Sequence, residues 1–324
     1  MSRRKEQKDT VLIGPLPPPI GGVSVHIARY SKLHNIPVIP ENNSRKWKIV
    51  SRLLLIEAKS IHVHSASWFI ALVLIFKYYF SKRNCEYFFV NHNFHIVTNR
   101  QKGIKRIIQQ RFRYSFIRLC SVVYVVNPEL IPKMEKIYGN INILLFDPFV
   151  PPDESTEEQQ MKEFGPEVVG FIEGHRPIII SGAWQLSFHN NEDLYGFDLL
   201  IELMSHSMKS FPDIGLIFFI GNPAYNNAYL ENKRNRIKEL GLEKTILLIT
   251  GQKEMWPLMK RSSLFIRATN TDGDPISIKE ALHYGIHVLA SDCTMRVSGV
   301  KLFKSRSLDS LISSTFAMLE ESNR

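Results

Sequence analysis

The sequence has little cysteine, no long apolar run, and none of the spacings that mark a resident metal or a dinucleotide. Its three cysteines, Cys85, Cys120 and Cys293, lie far apart with no paired spacing, which excludes a zinc ribbon and a disulfide framework and fits a reducing compartment. The longest apolar run, Trp68 to Tyr79, is broken by Lys77. It falls well short of the roughly 20 residues that a membrane-spanning helix needs and reads as a buried helix. The amino terminus is charged and then proline-rich, without the apolar stretch of an export signal. No three-glycine fingerprint follows the first apolar strand and no suitable acidic residue follows the second, which disfavours a nicotinamide cofactor.

What is present is an ordinary globular composition, 44% hydrophobic and 22% charged over 324 residues, enough chain for two domains. The formal charge of +10 is unevenly placed. Residues 1–150 hold 23 Lys and Arg against 8 Asp and Glu, a net of +15, and residues 151–324 hold 18 against 23, a net of −5. The first half is therefore expected to face something anionic. The stretch RQKGIKRIIQQRFRYSFIR sets Arg100, Lys102, Lys105, Arg106, Arg111, Arg113 and Arg118 among apolar residues at helical spacing. Beside the ordinary reading of a surface helix, this points to an anionic membrane surface. Nucleic acid is not expected, because no recognisable module is present.

Short apolar runs alternate with longer helical patterns. Strands are expected at Val11–Ile13, Ile61–His64, Tyr87–Val90, Val122–Val126 and Ile141–Leu145, then at Ile178–Ser181, Gly215–Ile220, Ile246–Ile249, Leu264–Ile266 and His287–Ala290. Continuous runs such as LIFFI suit parallel strands buried on both faces. The fold class is α/β, with two doubly wound Rossmann-like domains facing across a cleft. Domain bounds are placed at 1–150 and 177–324, with 151–176 as a linker region, since residues 151–160 contain no apolar residue.

Three stretches carry candidate chemistry. Gly21 and Gly22 open a helical segment after the first strand, where close approach and free N–H groups favour phosphate, although a Gly-Gly turn is often only a turn. In TDGDPISIKEAL, Asp274 before Pro275 reads as a helix cap, Ser277 and Glu280 share a face with Asp272 in the loop at the same helix end, and two carboxylates so placed can grip a polyhydroxylated ligand. Glu280 as a solvated helix residue and Asp272-x-Asp274 as a metal pair are the competing readings. The third set is the histidines His62, His64, His92 and His95 at strand ends. None has the helical spacing of a zinc pair, and His92 follows a strand where such sheets place their ligands.

Taken in order, GPLPPPIGGVSVHIARY, IHVHSAS, VNHNFH, LYGFDLLIELM and TDGDPISIKEALHYGIHVLASD resemble the retaining, nucleotide-sugar-dependent glycosyltransferases of family 4, in particular bacterial enzymes of capsule, exopolysaccharide and O-antigen assembly. The resemblance implies a GT-B fold and a nucleotide diphosphate sugar as donor substrate, with no cofactor and no metal. The expected acceptor is lipid-linked or an oligosaccharide, and together with the basic first half and the cysteine usage this gives the expectation of a cytoplasmic protein peripheral at the inner face of the plasma membrane. By the same resemblance His92 lies beside the transferred sugar, and Asp272 contacts that sugar in place of the family's first glutamate. Glu280 holds the ribose, and Gly21, Gly22, Asp274, Pro275, Ile276 and Ser277 receive the donor. Two family cations are missing: Ala183 and Trp184 stand where an arginine is common, and Tyr195 where a lysine precedes Gly196. Arg176 and Arg267 are the candidate substitutes. The departures motivate a second reading, a non-catalytic glycosyltransferase-like binding or scaffold subunit, and a two-domain epimerase is a third.

Overall fold

The computed structural model describes residues 9–42, 46–64, 67–80, 85–91 and 103–322. The chain divides into two compact units, residues 1–150 and 151–324.

The first unit is built on six parallel strands, β1 (Thr10–Gly14), β2 (Val38–Pro40), β3 (Ser60–Val63), β4 (Glu86–Asn91), β5 (Val122–Val125) and β6 (Ile143–Leu145), in the spatial order β2-β1-β3-β4-β5-β6. The order reverses between β1 and β3, the switch point of this sheet. Alternation sorts its residues onto two faces. Val11, Ile13, Ile61, Val63, Tyr87, Phe89, Val123 and Val125 share a core with helices α2 (Lys46–Leu55), α3 (Trp68–Phe80), α4 (Ile104–Leu119) and α5 (Leu130–Tyr138). On the other face Leu12 packs on Ile27 of α1 (Gly22–His34).

Helix α3 is not the buried helix expected of its composition. Ile70, Ala71, Val73 and Leu74 are buried, but Phe76, Tyr79 and Phe80 are exposed. Lys77, the residue that interrupts the run, is buried instead. Its Nζ donates to the carbonyls of Leu54 at 3.1 Å and Ile56 at 2.7 Å, at the end of α2, where a cation satisfies terminal carbonyls and favours the helix dipole.

The second unit starts earlier than the composition implies. Residues 151–176 were expected as a linker region, but they form a short 3-10 turn (Glu154–Thr156) and helices α6 (Glu157–Phe164) and α7 (Pro166–Gly174). Phe164 and Val168 enter the unit's core. The acidic opening is held by charge: Glu157 accepts from Lys260 at 2.6 Å and Arg261 at 2.7 Å, and Glu154 from Lys260 at 3.0 Å. A segment anchored by ion pairs at its start carries its apolar residues further on, which made it look like a tether.

Six parallel strands follow: β7 (Ile178–Ala183), β10 (Gly215–Ile220), β11 (Ile246–Thr250), β12 (Leu264–Arg267), β13 (His287–Ser291) and β14 (Val300–Phe303), ordered β11-β10-β7-β12-β13-β14. A two-stranded antiparallel ribbon, β8 (Phe188–His189) with β9 (Glu192–Asp193), hangs from the loop after β7. Helices α8 (Phe197–Ser207), α9 (Asn227–Glu239), α10 (Trp256–Met259), α11 (Ile276–His283) and α12 (Leu308–Ser322) complete the unit. All six residues of β10 are buried, as a central strand covered on both faces requires. The ten expected strands are present with ends shifted by at most two residues; β2, β14 and the ribbon are additional. Each unit is thus a doubly wound parallel sheet.

Candidate functional site

In the second sheet the strand order reverses between β7 and β12, and the carboxyl ends at such a point are where open α/β sheets receive ligands. Arg267 ends β12 there. Its Nε donates to Asp272 Oδ2 at 2.9 Å and its Nη2 to Asp272 Oδ1 at 3.2 Å, a two-pronged fork, while Nη1 makes only a 3.5 Å contact with the Gly182 carbonyl of β7. The guanidinium carbon lies 5.2 Å from the centre of the Tyr195 ring, within cation–π range. Asp272 also accepts from Arg296 Nη1 at 2.9 Å, Thr269 Oγ1 at 3.0 Å and its neighbour's N–H, that of Gly273, at 3.1 Å.

Arg296 comes from the loop after β13 and its side chain is 3% exposed. Nε donates to the Ser291 carbonyl at 3.2 Å and Nη2 reaches Thr269 Oγ1 at 3.2 Å and Ser291 Oγ at 3.4 Å. Burial pushes the Asp272 carboxyl toward higher pKa, but the charges and hydrogen bonds of Arg267 and Arg296 outweigh it and hold the group at about 2. The carboxylate is therefore ionised throughout the physiological range, and the cluster carries one net positive charge.

The helix that follows departs from one sequence expectation. Asp274 is not the cap of α11: Pro275 occupies that position with extended backbone and no side-chain cap. The Asp274 carboxylate accepts from Lys279 Nζ at 2.5 Å. Displaced one residue before the helix, Asp274 meets a lysine rather than the first turn's N–H groups. Pro275, Ile276 and Ser277 are half-buried at the helix start, and Glu280 is 7% exposed, so Glu280 is not a solvated helix residue. Both carboxylates of the Asp-x-Asp pair are engaged by cations.

The positions without the expected cations hold aromatic rings. Trp184 packs on Gly221, where an added Cβ would come within 2.5 Å of its ring. Tyr195 faces Arg267, and the next residue, Gly196, has φ +67° and would set a Cβ 2.4 Å from the Ala268 carbonyl oxygen. Of the two substitute cations considered, Arg176 precedes β7 and stands at the opposite end of the parallel sheet. Arg267 is at the switch point. Arg296 was missed by local sequence patterns; the rule that ligand residues follow strands is the one signal that points to its loop.

In the first unit Gly21 caps α1 with extended backbone. Its N–H donates to Ser24 Oγ at 3.0 Å, and that hydroxyl donates to the Pro19 carbonyl at 2.5 Å. The nearest atom to an added Cβ at Gly21 is 3.9 Å away, so neither conformation nor internal packing requires glycine there; Gly22 is the first residue of α1. At the switch point of this sheet His64 and His26 lie with ring centres 5.3 Å apart. His26 Nδ1 donates to the Pro148 carbonyl at 2.6 Å. Burial holds its pKa down to about 4 against the opposing pull of that bond and of Asp147. His62 stacks on Phe88 and Tyr124 and is likewise held at about 4 by burial. His92 and His95 lie outside the described residues.

Residues 186–308 match the family model described as glycosyl transferases group 1. Among curated proteins none matches the sequence. Similar solved structures include HepE from Anabaena in complex with UDP-glucose, at 14% identity and a TM-score of 0.67 over 97% of this chain and 90% of that one. A glycosyltransferase from Rickettsia africae aligns at 14% identity and 0.63 over 96% and 88%. The α,α-trehalose 6-phosphate synthase of Burkholderia multivorans aligns at 9% identity and 0.64 over 97% and 92%. These likenesses identify the fold as GT-B.

Proposed function

We propose that the protein is a retaining glycosyltransferase that moves a sugar from a nucleotide diphosphate sugar to a hydroxyl of a lipid-linked bacterial surface glycan. The observation that carries this reading is the coincidence of the family match, residues 186–308, with the switch-point cluster Arg267–Asp272–Arg296 and the buried Glu280. In this reading Glu280 holds the ribose, and the helix start from Asp274 to Ser277 receives the donor. Gly21, Gly22 and His92 keep the roles that the resemblance implies for them. Charge placed on the leaving group supplies the rate, in a site that excludes water. The test is thermal stabilisation by a panel of nucleoside diphosphates and their sugars. One nucleotide class at about 100 times its Kd adds roughly 2.7 kcal/mol, and Glu280→Gln, which keeps the volume, loses the shift. Retention is read from the product's anomeric NMR coupling. A folded protein that no nucleotide stabilises refutes the enzyme and leaves the scaffold reading.

The basic first unit is the proposed membrane-facing part. On α4, Ile104, Ile107 and Ile108 are exposed at helical spacing beside the exposed Lys105 and Arg111, and Trp47 with Lys48 is exposed on α2. Apolar insertion adds to attraction, so salt releases only part of the protein from anionic vesicles. Sedimentation with Ile107→Asp checks this: undiminished pelleting of the variant in high salt refutes it.

A further inference from the structure

We infer that Arg267 is the cation that receives the donor diphosphate in this chain, and that Asp272 is a positioning residue for it rather than a contact of the transferred sugar. The inference rests on the nucleotide-sugar reading above and changes the role that resemblance assigns to Asp272. Both carboxylate oxygens are already committed: Oδ2 to Arg267 Nε, Arg296 Nη1 and Thr269 Oγ1, and Oδ1 to Arg267 Nη2 and the Gly273 N–H. With its side chain 10% exposed, Asp272 has little capacity left for sugar hydroxyls. A carboxylate so held cannot turn outward without stranding two buried guanidinium groups.

The two arginines are not equivalent. Arg296 spends all three nitrogens on Asp272, Ser291 and Thr269, and is nearly sealed from solvent. Arg267 is 15% exposed and spends two nitrogens on Asp272. Among the described residues its Nη1 has only the long contact to Gly182 at the end of β7. Its guanidinium lies over the Tyr195 ring, 5.2 Å from the ring centre, so the group is held by a fork on one edge and by an aromatic neighbour. The edge that remains lies at the reversal of strand order, between the ends of β7 and β12. A planar cation held in this way, with one positive charge left over from the triad, suits a phosphate oxygen. It also accounts for the two expected cations that are absent, because Tyr195 occupies one of those positions and supports the cation that replaces them.

The probes are inorganic pyrophosphate, UDP, GDP, ADP and their glucose conjugates, titrated calorimetrically against the full chain. Arg267→Gln is expected to weaken pyrophosphate and the bound nucleoside diphosphate at least tenfold and to flatten their salt dependence, while the parent nucleoside binds as before. Arg267→Lys keeps the charge without the fork; it is expected to lose affinity while retaining the salt dependence, which keeps the test informative if the glutamine variant fails to fold. Arg261→Gln, which breaks an ion pair elsewhere in the unit, is the control and is expected to change nothing. Asp272→Asn is expected to leave the ratio of nucleotide-sugar to nucleotide affinity within twofold of the parent, because both ligands meet Arg267 through the same diphosphate. A selective loss of the sugar conjugate in Asp272→Asn overturns the inference, as does unchanged diphosphate affinity in Arg267→Gln. If pyrophosphate binds through Arg267 while every nucleotide fails, the nucleotide-sugar reading falls and the anion site stands.

Discussion

His26 and His62 of the first unit make its stability sensitive to mild acid. His26 and His62 are neutral in the folded chain because burial lowers each pKa to about 4, whereas an unfolded histidine protonates near 6.5. Below that value the unfolded chain binds protons that the folded one refuses. The stabilisation is therefore complete above about pH 6.5 and is lost progressively as the pH falls toward 4. With those values the loss is about 2 kcal/mol for each histidine at about pH 5, and about 3 each at about pH 4. The pair together approaches the whole stability of an ordinary domain. Urea titration with pulse proteolysis, cleavage sites being assigned to residues 1–150 by mass spectrometry, follows this unit within the intact chain. His62 lies against Phe88, 4.6 Å between ring centres, with Tyr124 beside both, so His62→Leu removes one titrating group at an aromatic contact and is expected to halve the loss between about pH 7 and 5. An unfolding midpoint that does not move over that interval refutes the reasoning, as does an imidazole proton that titrates near 6.5 in the folded protein.

Gly196→Ala is expected to cost about 3 kcal/mol, from left-handed backbone and a Cβ driven into the Ala268 carbonyl; Gly241→Ala, at φ +66° with nothing within 4 Å, is expected to cost only the backbone part, about 1 kcal/mol, and paired urea melts compare them. Because Ala268 follows Arg267, Gly196→Ala should also weaken pyrophosphate binding, which Gly241→Ala should leave intact. Lys77→Met keeps the length of the side chain but withdraws a donor from the carbonyls of Leu54 and Ile56. A loss of about 2 kcal/mol is expected from the first unit, and pulse proteolysis of peptides from α2 and α3 reads it.

Local pattern carries the sheets well, because a strand such as Gly215–Ile220, buried on both faces, writes its environment directly into its composition. It failed where the environment is set by something distant. Val38–Pro40 is three residues long and takes its identity from pairing with β1. Lys77 looked like an interruption because its partners belong to another helix. Residues 151–160 read as a tether because they hold no apolar residue, whereas Lys260 and Arg261, which hold Glu154 and Glu157, lie about a hundred positions away. The site shows the same division. Asp272 and Glu280 were legible as residues, but the partners that decide what Asp272 does were not, since Arg296 reaches it from the loop after a different strand.

On the inference that Arg267 receives a diphosphate, charge in the site is better counted in space than along the sequence. A diphosphate requires positive charge near its oxygens and does not require it from a given loop. Here the two loop positions present Trp184 and Tyr195, and the charge is carried on the strand end beside them. An arginine there, with its side chain only 15% exposed, needs a counter-ion to be kept in the folded chain. A single counter-ion to a single arginine would leave no net charge for a ligand. The second arginine, Arg296, removes that difficulty: one carboxylate between two guanidinium groups satisfies the burial requirement and leaves one positive charge in a place where solvent screens it weakly. On this account Arg296 matters for binding although it touches no ligand. Arg296→Gln should cancel the residual charge and flatten the salt dependence of pyrophosphate binding, even with Arg267 in place; a slope unchanged from the parent protein would show that the charge is not shared.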